Sequence, residues 1–144
     1  MSAKNSDTLN SLLRGEISAI ETYTQALEKF DGSHEAVKLR ELRDEHTDSA
    51  NSLRKRIDSL GSDPATSSGL WGTWAKFVEG TAKIFGKAAA LKALKEGEEH
   101  GAKSYKDALA SEDLASECKT LISSKLLPKC QSHVSSLEGM ISKS

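Results

Sequence analysis

Leu9–Leu27 reads LNSLLRGEISAIETYTQAL, and the pattern returns 82 positions later as Leu91–Leu109, LKALKEGEEHGAKSYKDAL. Seven of the nineteen paired positions are identical: Leu9/Leu91, Leu12/Leu94, Gly15/Gly97, Glu16/Glu98, Tyr23/Tyr105, Ala26/Ala108 and Leu27/Leu109. Background composition yields roughly one such match. An internal repeat sets the architecture before any single residue does. In the first copy Leu9, Leu13, Ile20, Tyr23, Leu27 and Phe30 recur at steps of three and four, the spacing of one helix face. Glu16 stands on that face, and Glu98 stands on its counterpart. A carboxylate on a buried face is costly unless something answers its charge. Glu16 and Glu98 therefore mark the interior of the molecule as the place to look for function.

Outward from this repeat, Ser6 or Asp7 is placed to cap the first helix, and Asp31-Gly32-Ser33 ends it with Gly32 in the left-handed conformation. Ser33 then caps a second helix whose inward residues are Leu39, Leu42, His46, Ala50, Leu53, Ile57 and Leu60. So short a turn makes the pair antiparallel and brings Glu16 and His46 to one level. Residues 61–69, GSDPATSSG, are loop by composition. Residues 70–86, LWGTWAKFVEGTAKIFG, are apolar but broken by Gly72, Gly80 and Gly86, which predicts a short helix inside a long crossover. A third helix carries the second copy. A fourth turns Cys118, Ile122, Leu126, Cys130, His133, Leu137 and Met140 inward, and Pro128 bends it by removing a backbone bond. The expected fold is all-α and a single domain: an antiparallel four-helix bundle of two repeated hairpins, helices about 7–30, 34–60, 87–110 and 112–141, with one crossover over about 61–86. Each hairpin offers one Glu and one His to the interior, Glu16 with His46 and Glu98 with His133.

Composition narrows the function classes. The chain has 144 residues, 20 Lys and Arg against 21 Asp and Glu, and a net charge of −1 with both signs mixed, which argues against nucleic-acid binding. No apolar run approaches the ~20 residues of a membrane span, and the polar start MSAKNSDT does not read as a signal peptide. A helix holding both Cys118 and Cys130 separates them by about 18 Å, too far for a disulfide. The chain reads as cytoplasmic with reduced thiols. Trp71, Trp74 and Phe77, interleaved with lysines, read as a bundle-end cap or a homodimer contact rather than a membrane surface.

The Glu-then-Tyr step of seven in GEISAIETY and GEEHGAKSY is similar to the first helices of rubrerythrins and bacterioferritins. With EHTDSANSLRKRIDSLGSDP after the first hairpin and a Trp-bearing crossover, residues Thr8 to Ile141 most resemble bacterial ferritin-like domains of unknown function. The resemblance implies a ferritin-like bundle of the di-iron carboxylate superfamily and a stress-associated role. In that superfamily each hairpin gives a Glu and a Glu-x-x-His. Here Arg43 stands three residues before His46 and Cys130 three before His133, so both bridging carboxylates are replaced. Asp44 and Glu45 are turned off the His46 face by one or two residues and do not restore them. The resemblance therefore implies a degenerate, non-redox member. The competing readings are a metal-binding protein or oxidoreductase using Glu16, His46, Glu98 and His133, and a partner-binding scaffold acting through the Trp71–Phe77 surface.

Three readings of the interior follow. Glu16, His46, Glu98 and His133 bind one divalent metal, Zn, Fe or Mn by donor type. Alternatively the Arg43 guanidinium bridges Glu16 and Glu98 in place of metal, with Tyr23, Tyr105 and the histidines completing a hydrogen-bonded network. The charge sum favours this second reading. In the third, local helix rotation turns one or both glutamates to solvent. Tyr23 and Tyr105 read as core aromatics with locally satisfied hydroxyls, Cys130 as an inert core thiol or a thiolate ligand beside His133, and His34 and His100 as solvated.

Overall fold

The structure is a computed structural model and describes residues 2–69 and 86–143. Trp71, Trp74 and Phe77, with the short crossover helix and the dimer surface read from that stretch, lie outside the described residues. The elements are α1 (Ser2–Lys29), α2 (Glu35–Ser59), α3 (Lys87–Ala110), and a fourth helical stretch made of α4 (Ser116–Leu121), a π-helical turn (Ile122–Leu126) and α5 (Leu127–Lys143). Among the described residues there is no strand.

α1 begins at Ser2, earlier than a cap at Ser6 or Asp7 implies. Asn5 and Ser6 are buried and bond to other segments instead. Asn5 Oδ1 accepts from the Ala115 N–H at 2.9 Å, and Ser6 Oγ pairs with Ser62 Oγ at 2.7 Å. With these groups committed to tertiary contacts, nothing interrupts the helix. Gly32, at φ 78°, makes the sharp turn after α1. Ser33 does not cap α2; its hydroxyl donates back to the Phe30 carbonyl at 2.5 Å and closes α1.

Pairings along the helices give their directions. His46 meets Glu16 and Ser62 meets Ser6, so α2 runs antiparallel to α1. Tyr23 meets Glu98 and Tyr105 meets Glu16, so α3 also runs antiparallel to α1. Arg56 meets Glu117, Ser52 meets Lys125 and Glu45 meets His133, so the fourth stretch runs antiparallel to α2. α2 and α3 are therefore parallel. The chain leaving α2 turns back along α1: Asp63 and Ala65 bond to the Asn10 side chain, and Gly69 lies against Arg14.

Apolar side chains fill two clusters. One gathers Leu9, Leu13, Leu53, Ile57, Ile122 and Leu126. The other gathers Tyr23, Phe30, Leu39, Leu42, Leu91, Leu94 and Leu137. Along every helix the residues between these clusters are the polar ones, so Glu16, His46, Glu98 and His133 form a layer at mid-length with hydrophobic packing above and below. The π turn has a local cause. Pro128 has no N–H to donate to a preceding carbonyl, and the ladder shifts register just before it, with the Leu127 N–H reaching Ile122 O.

Candidate metal centre

His46 sits between the two glutamates of the repeat. Its Nδ1 lies 2.5 Å from Glu16 Oε1 and its Nε2 2.6 Å from Glu98 Oε2, all three side chains being buried. Carboxylate oxygens cannot donate, so an imidazole facing one on each side carries both protons. Burial alone lowers the His46 pKa, but the charges of Glu98 and then Glu16 outweigh it and raise it from 6.5 to about 10. Burial likewise works against ionised Glu98, yet the His46 charge and the bonds from His133 and His46 hold its carboxyl well below the usual range. An imidazolium thus supplies the cation that the two buried carboxylates require.

The tyrosines cross between copies. Tyr23 donates to Glu98 Oε2 at 2.5 Å, and Tyr105 donates to Glu16 Oε2. A step of seven residues covers about 10.5 Å of helix. In antiparallel α1 and α3 that step sets each tyrosine level with the other copy's glutamate. Their hydroxyls are therefore satisfied across the repeat rather than locally. Burial first, and the adjacent carboxylates second, push both phenols well above their ordinary pKa.

His133 breaks the symmetry. Its Nδ1 faces Glu98 Oε2 at 3.2 Å and its Nε2 faces Glu45 Oε1 at 2.8 Å. Glu45, expected to point away, joins the network. One position before His46, it lies on the flank of α2 toward α5, and its side chain is long enough to reach His133 while staying 42% exposed. Cys130, one turn before His133, donates to the Glu98 carbonyl at 3.1 Å and lies 3.4 Å from Glu98 Oε1. Burial and the Glu98 charge push its thiol pKa far up. Arg43 bridges nothing in the interior. Its side chain is 32% exposed and its Nε lies 3.7 Å from Asp44 Oδ1. A guanidinium loses less hydration at that edge, and His46 already holds the place between the glutamates. Neither glutamate turns to solvent. His34 and His100 are exposed.

Residues 4–111 match a family described as Domain of unknown function (DUF2383). The chain belongs to that family. No curated protein and no solved structure shows significant similarity to it. The DUF2383 match takes in Glu16, Tyr23, His46, Glu98 and Tyr105, whereas Cys130 and His133 lie beyond it.

The donor set decides what this DUF2383 chain can hold. The ligand atoms of His46, Glu98 and His133 all lie within 4.8 Å of one another. Two donors on one tetrahedral ion with bonds of 2.0–2.2 Å stand about 3.4 Å apart, close to the 3.2 Å between His133 Nδ1 and Glu98 Oε2. His46, Glu98 and His133 could hold one metal ion once the 2.6 Å contact between His46 and Glu98 opens. A bridged two-metal centre does not fit, since the positions that would supply bridging carboxylates are edge-lying Arg43 and the thiol of Cys130. Beside these groups a cavity of about 30 Å³ is walled by Glu16, His46, Glu98, Tyr105, Cys130 and three glycines, Gly15, Gly97 and Gly101. That is room for a single water-sized occupant.

Proposed function

We propose that this DUF2383 protein is a cytoplasmic four-helix bundle of ferritin-like connectivity that binds one divalent transition-metal ion in its core and carries out no di-iron chemistry. The parallel α2 and α3, which call for one long crossover, support the connectivity. One observation carries the metal reading. Two imidazoles converge on Glu98, and each is held at its other nitrogen by a further carboxylate, Glu16 on His46 and Glu45 on His133. Carboxylate–histidine pairs of this form orient metal-bound imidazoles and raise their basicity. His46, Glu98 and His133 would be the ligands, and the bound ion would supply a fixed positive charge in the place now taken by the His46 proton. Glu16, Glu45, Tyr23 and Tyr105 orient these ligands. A role in stress response is what the ferritin-like resemblance adds.

The test is elemental analysis of protein purified without an affinity tag or chelator, beside the Glu98→Gln variant. About one Zn, Fe or Mn per chain, lost in Glu98→Gln, supports the site. Substoichiometric metal in both overturns it and leaves the second reading, a metal-free core closed by the His46 imidazolium, which the two short contacts at 2.5 and 2.6 Å favour.

A further inference from the structure

We infer that Cys130 is a ligand of the core ion, so that the site is tuned to a soft, tetrahedral metal such as Zn(II) rather than to hard ions such as Mn(II) or Mg(II). The inference rests on the metal reading above and deepens it. Cys130 and His133 lie three residues apart on one helical stretch, and both side chains are buried toward Glu98. Helical neighbours at that spacing share a face and can serve one ion together. The sulfur lies 3.4 Å from Glu98 Oε1. It also walls the 30 Å³ cavity that His46, Glu98 and Glu16 line, so an ion there has imidazole, carboxylate and sulfur within reach at once.

A Cβ on Gly101 would stand 3.4 Å from the Cys130 sulfur, so the thiol packs against the Gly101 backbone at the cavity wall that both residues line. As ligands, neutral His46 and His133, the Glu98 carboxylate and the Cys130 thiolate carry −2 against one divalent ion, while Glu16 keeps its own hydrogen bond to His46 Nδ1. As the ion binds, the His46 Nε2 proton and the Cys130 thiol proton both leave to solvent, and the hydrogen bond from the thiol to the Glu98 carbonyl is given up. His46 and Glu98 line the cavity with Cys130, and His133, outside the cavity wall, joins them through Glu98 at 3.2 Å. Drawn onto one ion, two nitrogens, one oxygen and one sulfur would suit Zn(II), whereas thiolate is a poor donor for Mn(II) and Mg(II).

Co(II) titration of the metal-free full-length protein tests this, because cobalt takes the same tetrahedral geometry and reports sulfur directly. The expected result is one Co(II) per chain with a near-ultraviolet sulfur-to-cobalt charge-transfer band. The band is lost in Cys130→Ser and kept in Cys118→Ser, whose thiol is buried elsewhere. Serine is near-isosteric and still donates to the Glu98 carbonyl, so Cys130→Ser keeps the fold. Its preference for Zn(II) over Mn(II) falls about tenfold or more. Co(II) bound at one per chain with no such band, or a band unchanged in Cys130→Ser, overturns the assignment of Cys130 while the metal site stands. No uptake of Co(II) or Zn(II) by the unaltered protein overturns the metal reading itself.

Discussion

Replacing His46 by alanine removes the one cation set between two carboxylates that are 5% and 2% exposed. Breaking a buried ion pair by deleting one partner costs about 3–5 kcal/mol, because the remaining charge is left without an answer. Proton linkage gives a figure of the same size. At about 1.4 kcal/mol per pKa unit, holding His46 at about 10 instead of 6.5 is worth about 5 kcal/mol. Total stabilities of single domains run at about 5–15 kcal/mol, so His46→Ala should be marginal at neutral pH. The signs are specific. The stability from His46 is complete below pH 6.5 and is lost as pH rises through about 10. That from Glu98, whose carboxyl is held below its ordinary 4.5, is complete above pH 4.5 and is lost on acidification. The unaltered protein should therefore be most stable between about pH 4.5 and 6.5. In His46→Ala the imidazolium is gone, so the loss of stability between about pH 6.5 and 10 seen in the unaltered protein should be absent. Urea unfolding followed by circular dichroism in chelator, from pH 5 to 10, measures both curves. A wild-type curve flat between pH 7 and 10, with a cost below about 1 kcal/mol for the variant, would refute the imidazolium bridge.

Other perturbations separate the parts of the network. The chain's two tyrosines are both in it, so tyrosinate absorbance should appear only together with unfolding in an alkaline titration; ionisation of the folded protein near pH 10 would contradict their placement. Arg43→Ala should change urea stability by no more than about 0.5 kcal/mol, as expected for a surface side chain, and a loss of several kcal/mol would return Arg43 to the core. Glu45→Gln keeps an acceptor for His133 but removes its charge. It should weaken Zn(II) binding in competitive chelator titrations by about tenfold with little change in fold stability, and unchanged affinity would remove Glu45 from the site.

The polar layer was legible because the repeat puts identical residues on identical faces. Glu16 and Glu98 could not both be buried without partners near their level, and His46 and His133 were the inward-facing candidates. Four things were not legible. Arg43 and His46 lie three residues apart and share a face, so periodicity cannot say which one enters. Hydration decides it, because a guanidinium at the edge keeps water that an interior one would forfeit, while an imidazole serves two acceptors from a short side chain. Glu45 was excluded by its angular position, yet reach mattered more than angle once α5 came alongside α2. The crossing of Tyr23 to Glu98 and Tyr105 to Glu16 needs the direction of α3, which no pattern within either copy contains. Ser6 misled for the opposite reason: local capping chemistry was present, but its hydroxyl is spent on Ser62, distant in sequence.

The two glutamates of the repeat are equivalent in sequence and inequivalent in their surroundings, which yields the sharpest remaining prediction. Glu98 receives Tyr23, His46, His133 and Cys130, whereas Glu16 receives His46 and Tyr105. The difference arises in the fourth helical stretch, where His133 turns to Glu98 and takes Glu45 as its second partner. Glu98 is thus the oxygen donor on which both imidazoles converge, and Glu16 acts only through His46 by holding its Nδ1. Glu98→Gln should abolish stoichiometric metal binding, since an amide is a poor ligand and cannot balance the ion's charge. Glu16→Gln should retain one ion per chain with affinity lowered about 10- to 100-fold, the usual cost of losing the group that orients a metal-bound histidine. Competitive chelator titration of the two variants distinguishes them. Equal losses would mean that the ion lies on the repeat axis between Glu16 and Glu98, and that the asymmetry introduced by His133 has no part in binding.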